Sequence, residues 1–123
     1  MKYYNLKLYG VTHKVTPILH KYASNDRIAV ELVTNTGESF ATITVNLPDA
    51  FDTLDLPDNA AYLDDNNCPW AAKFVEDNNL GLVTSMQYPS GYCLYTLCLF
   101  DLDKITPYYK QTSIQDFGIK LNN

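Results

Sequence analysis

Apolar and polar residues alternate with a period of two along several stretches of this chain, the pattern of strands that bury one face. Residues 2–9 (KYYNLKLY) and 14–23 (KVTPILHKYA) show it. Pro17 lacks a ladder donor, which predicts an edge or a bulge for the second of these strands. Residues 27–34 (RIAVELVT) and 38–47 (ESFATITVNL) are rich in β-branched side chains and flank Asn35-Thr36-Gly37, where glycine can supply the positive φ of a hairpin loop. Alternation then places Ile28, Val30 and Leu32 on one face, and Ala41, Ile43, Val45 and Leu47 on one face of the partner strand.

The pattern changes at Pro48. Residues 48–65 (PDAFDTLDLPDNAAYLDD) hold two prolines and six aspartates and read as a loop with one helical turn between Pro48 and Pro57. Helical spacing follows, with Trp70, Ala71, Phe74 and Val75 on an apolar face and Glu76 and Asp77 opposite. Pro69 suits the first helical position, Asn67 or Cys68 would cap it, and Gly81 would supply a left-handed stop. Residues 82–87 (LVTSMQ) and 92–102 (YCLYTLCLFDL) predict a second hairpin around Tyr88-Pro89-Ser90-Gly91. The latter strand is apolar on both faces, as a central strand with a helix on one side must be. Pro107 limits any helix in the tail. The elements sum to an α+β domain: an antiparallel sheet of five or six strands with one principal helix, about residues 69–79, packed on it.

A chain of 123 residues, 46% of them apolar, can bury one core without disulfides and predicts a single domain over 1–123. No apolar run has the length of a secretory leader or a membrane span, which predicts a cytoplasmic protein without membrane contact. Three cysteines, an odd number, agree with a reducing compartment.

Charge alters the picture more, because it is unevenly placed. Residues 1–27 carry a net +4, residues 28–103 a net −11 with Lys73 the one basic residue, and residues 104–123 a net +2. An acidic middle excludes a nucleic-acid binder whose main surface lies there, since phosphate contacts need clustered Lys and Arg. It suits a basic protein surface as partner.

Few chemistries survive inspection. Cys68, at the start of the predicted helix, could be a thiolate favoured by the helix dipole. It has no Cys-x-x-Cys partner, and neither His13 nor His20 has the context of a base, so its ordinary reading is a small buried residue beside Trp70. Cys93 and Cys98, five apart in a strand, point to opposite faces and cannot share a metal without a bulge. His13 and His20, seven apart, meet the same objection. Asp101 and Asp103 could lie on one face as hard-cation ligands. Yet no acid is followed two residues later by lysine, and a solvated strand end is the plainer reading. The five glycines form neither a dinucleotide fingerprint nor a phosphate loop. No cofactor and no catalytic residue is therefore expected.

What remains is the series Asp49, Asp52, Asp55, Asp58, Asp64 and Asp65, with no basic residue between Arg27 and Lys73. An ordinary polar loop is the plain reading. The sharper one is a partner-binding row of negative groups that meets a Lys/Arg groove, with Phe51, Leu54 or Tyr62 as apolar anchors.

Asn66-Asn67-Cys68-Pro69-Trp70, Phe74-Val75, Asn79-Leu80-Gly81, Ser90-Gly91-Tyr92-Cys93 and Phe100-Asp101-Leu102 occur in order. Together with the hairpin VELVTNTGESFATITVNLPD, they resemble the signature of a family of small bacterial proteins carried on conjugative elements and phages, a domain of unknown function. The resemblance spans about residues 28–103 and brings no catalytic residue. Its genetic setting implies an anti-CRISPR-like inhibitor, monomeric or homodimeric, that binds a CRISPR effector nuclease and blocks nucleic-acid loading or a conformational step. The alternatives are a metal- or thiol-dependent accessory enzyme of a mobile element and a self-associating regulatory module.

Overall fold

The computed structural model describes residues 1–108; the tail charges Lys110, Asp116 and Lys120 lie outside the described residues. The first sheet is built from β1 (Tyr4–Leu8), β2 (Val11–Lys21), β3 (Ile28–Thr34) and β4 (Ser39–Thr42) in that order. A short β9 (Thr106–Pro107) joins it parallel to β2. The second sheet has the order β5 (Thr44–Val45), β6 (Ala60–Leu63), β8 (Cys93–Phe100), β7 (Gly81–Ser90). Two helices, α1 (Pro48–Thr53) and α2 (Ala71–Asp77), and a 3-10 turn at Leu102–Lys104 complete the described residues. The class is α+β, with antiparallel pairing throughout except at β9, and with α2 as the principal helix packed on the sheets.

The strands are divided between two sheets because the segment read as one strand, 38–47, changes partner at Ile43. There the Ile43 amide still donates to Val30 O (2.9 Å), while Ile43 O accepts from the Asp64 amide of the other sheet (2.8 Å). The Thr44 hydroxyl accepts from the Val30 amide (3.1 Å), closing the ladder where the main chain has left it. Ile43 itself is fully buried between the sheets.

Pro17, whose missing donor suggested an edge or a bulge, lies in an interior strand. On one flank β2 pairs with β1 up to Val15 and with β9 only from Ile18, so the ladder there has a gap where the proline falls.

Strand β6 has no counterpart in the alternation pattern, because all four of its residues are buried. Ala61 and Leu63 enter the larger core with Cys98, Phe100 and the α2 residues Ala71, Phe74 and Val75. Ala60 and Tyr62 enter a smaller core with Leu97, Leu47 before α1 and Ala50 of α1. The second sheet is thus covered on both faces along β6 and the Leu97–Phe100 end of β8, while much of β7 is exposed.

Helix α2 begins later than the prolines suggested, at Ala71, with Trp70 as its uncapped first flank. The chain before it is a series of turns closed by Asp64, not by Asn67 or Cys68: Asp64 accepts from the Asn67 amide (3.1 Å) and from Asn67 Nδ2 (3.0 Å). The left-handed stop is Asn79 (φ 55°), not Gly81.

The second hairpin is longer than its turn residues implied. Tyr88 and Pro89 are paired with Tyr95 and Leu94, and the loop is reduced to Gly91-Tyr92 with only Gly91 at positive φ (60°), the pattern of a type II′ turn. From Asn78 to Phe100 the chain carries no charged residue. Leu82, Met86 and Leu94 are exposed on this hairpin, and the register of the β7 edge shifts between Val83 and Gln87.

Gly81 opens β7 where it crosses β8 closely. A Cβ there would stand 2.6 Å from Leu99 O and 3.0 Å from Phe100 Cα, both backbone atoms. Gly81→Ala should therefore lower stability by about 3 kcal/mol, the scale of core overpacking. Urea denaturation with an unchanged slope and a lower midpoint is the expected result.

Candidate functional site

Segment 47–60 crosses the outer face of the second sheet. A helix of six residues has no stability of its own in water, so α1 exists because Ala50 and Phe51 pack inward. Phe51 stands edge-on to Tyr62 (centroids 5.6 Å apart), and Tyr62 contacts Tyr88 of β7 (6.1 Å). With Ala50 turned in, Asp49 and Asp52 are neighbours three apart on the exposed side.

Arg27 pins this segment from below. Its guanidinium lies over the Phe51 ring (4.1 Å to the centroid), and Nη2 donates to Pro57 O (2.6 Å) and Ala60 O (3.4 Å). Nη1 also reaches Asp58 (3.8 Å), whose carboxylate is fully exposed. That last contact adds little in water; the bonds to the two carbonyls, of which the one to Ala60 is part-buried, and the ring contact hold the loop. The sequence offered no local sign of this role, since Arg27 and Phe51 are far apart along the chain.

The six aspartates divide into four and two. Asp49, Asp52, Asp55 and Asp58 are exposed, and among the described residues only Asp58 has a cationic neighbour. Asp64 is buried in its turn with Asn67, and Asp65 accepts from the Thr96 amide of β8 (2.8 Å). These two carboxylates serve the fold. Beside the outer four lies an aromatic border missed in the sequence, the part-buried Tyr88 and Tyr95, which pack on the same small core as Phe51 and Leu56.

The three thiols are separate. Cys68 is buried, and its S–H points to Thr42 O (3.8 Å). Burial, and secondarily the nearby Asp64 charge, raise its pKa, the opposite of what a reactive thiolate at a helix start requires. Cys98 is completely buried, and burial pushes its thiol up to about 12. His20 Nε2 lies 2.8 Å from Glu31 Oε1, and Glu31 Oε2 accepts from Ser39 Oγ (2.5 Å), a chain of contacts across β2, β3 and β4. His13 packs at a tilt against Phe40 (ring centroids 4.7 Å apart). Asp101 caps the 3-10 turn by accepting from the Asp103 amide (3.2 Å) and faces Lys104 (3.9 Å). Among the described residues no three His, Cys, Asp or Glu side chains are grouped to hold a metal ion. No helix there is long and apolar enough to cross a membrane.

A family model described as "Domain of unknown function (DUF4313)" matches residues 16–118, beyond both ends of the 28–103 resemblance. No curated protein and no solved structure matches the chain.

Two outcomes test this geometry. Arg27→Met keeps an apolar stem over Phe51 but removes the carbonyl bonds and the cation, and should cost about 2 kcal/mol in chemical denaturation. For Cys98, folded and unfolded thiols are both protonated below the ordinary value of 9.0, so its contribution is fully present there. Above it only the unfolded thiol ionises, and stability should fall by up to about 1.4 kcal/mol per pH unit until the folded thiol itself titrates. Tyr22, Tyr62 and Cys68 are also raised by burial, so the Cys98 share is the part of the alkaline slope that Cys98→Ala abolishes.

Proposed function

The chain belongs to the DUF4313 family, and we propose that it is a binding module without catalytic chemistry of its own, whose acidic ledge docks on a cationic surface of another protein. The partner we propose is a CRISPR effector nuclease, whose nucleic-acid channel offers such a surface. The observation that carries the reading is the outer side of the second sheet. There Asp49, Asp52 and Asp55 stand exposed with no cationic neighbour among the described residues, on a segment fixed by Arg27 and bordered by Tyr88 and Tyr95.

That combination has the anatomy of a protein interface. Aromatic side chains supply area that is desolvated at little entropic cost, and a charged rim orients the approach. Rim carboxylates act mainly on the association rate, through the long-range field they present to lysines and arginines. Seated in a cationic channel, the ledge competes with phosphate groups for the same side chains, which is how such a protein would block nucleic-acid loading. The inward burial and raised pKa of Cys68 and Cys98 favour this reading over a thiol enzyme.

The test is binding kinetics on an immobilised CRISPR effector nuclease. Raising salt from about 50 to about 500 mM should slow association at least ~10-fold while dissociation changes less. The variant with Asp49, Asp52, Asp55 and Asp58 all changed to Asn should associate slowly at every salt concentration and lose inhibition in a cleavage assay. A variant that inhibits as well as the parent removes the ledge from the contact, and absence of binding by the parent removes the partner.

A further inference from the structure

A second surface, on the α2 side of the molecule, carries the opposite charge. A groove of about 340 Å³ runs between β1 and α2, with Asn5, Leu6 and Lys7 on one wall and Trp70 and Phe74 among the residues of the other. A contiguous groove of about 440 Å³ continues it past Lys2, Tyr3 and Tyr4 towards Asn78 and Lys104. Successive side chains of a strand point to opposite faces, so consecutive residues line one groove only where it follows the strand's edge. β1 is that edge: among the described residues it pairs with β2 alone.

We propose that this groove is a strand-addition site, which takes an extended, acidic peptide segment of another protein alongside β1. Main-chain groups of the open edge supply the hydrogen bonds, and the helix wall supplies the floor against which alternate side chains pack. Charge selects the occupant. Lys2, Lys7, Lys73 and Lys104 line the two stretches against the single carboxylate of Asp77, in a chain whose net charge is −5. Asp77 is held by Lys73 (2.7 Å) and Lys104 is engaged by Asn79 O (2.8 Å) and Asp101 (3.9 Å), which leaves Lys2 and Lys7 beside the edge to meet an incoming segment. The same charge disfavours a second copy at this edge, which would bring two clusters of lysines together.

Trp70 is the one tryptophan in the chain, so its fluorescence reports on the groove alone. The probe is an eight-residue peptide of alternating Glu and Val, titrated into the full chain and followed by Trp70 emission and by calorimetry. The Glu/Val peptide should bind saturably, and the Lys/Val peptide at least ~10-fold more weakly. N-methylation of alternate amides on the pairing side should cost at least ~10-fold, because it removes the main-chain bonds. Lys7→Glu with Lys73→Glu, both on exposed side chains, should reverse the preference. The variant with Asn at the four ledge aspartates should bind the peptide as the parent does, which separates this site from the ledge. No saturable signal by either method up to about 1 mM overturns the proposal. So does binding indifferent to N-methylation or to the two lysine reversals.

Discussion

Strand β6 and the Leu97–Phe100 end of β8 have no exposed residue, and the requirement that this part of the second sheet be covered twice organises the rest of the molecule. Cys98 and Phe100 face one core while Leu97 and Leu99 face the other, and Ala61 and Leu63 are divided from Ala60 and Tyr62 in the same way. Each large apolar side chain so buried contributes about 1.5–3 kcal/mol, enough in sum to order a segment that would not be helical alone. Helix α2 and the first sheet cover one side. The other side falls to residues 47–56, and inward placement of Leu47, Ala50 and Phe51 leaves Asp49 and Asp52 no direction but outward. The acidic ledge is thus a by-product of covering the outer face.

The uneven charge along the chain becomes a spatial polarity. Lys2 and Lys7 join Lys73 and Lys104 around the groove at α2, on the inner side of the second sheet. The exposed aspartates lie across that sheet, over the smaller core. A net charge of −5 conceals two groups of opposite sign on different sides of the second sheet. Arg27 is the exception, a cation spent inside the acidic side to hold Phe51 and the carbonyls of Pro57 and Ala60.

Much of the fold was legible in local pattern: the hairpin around Gly37, the apolar face of α2, and a second hairpin reaching Phe100. β6 was not, because alternation marks strands with one wet face and Ala60–Leu63 has none. The passage of Ile43 from one sheet to the other was hidden for a related reason, since β4 and β5 share one uninterrupted β-branched run. Spacing grouped six aspartates that the fold places differently, four exposed and two bonded to neighbouring chain. Asp64 had a readable clue in Asn67 three residues on, whereas the partner of Asp65, the Thr96 amide, is distant in sequence and invisible to any local rule. Gly81 carried the right signal for the wrong reason: a special residue was needed there, for closeness to β8 and not for a left-handed turn.

The uncharged hairpin from Asn78 to Phe100 leaves β7 as an edge without a lysine or an acid to ward off another strand. Its protection is geometric instead. Thr84 turns its hydroxyl to Leu97 O (2.8 Å) within the bulge, and Pro89 withholds a donor near the far end, so a stranger's backbone finds no straight run of docking points. Ribbons guarded by shape lose their guard whenever the shape is lost. A nascent or heat-loosened chain that loses this shape presents an uncharged ribbon with no repulsion of its own for salt to screen.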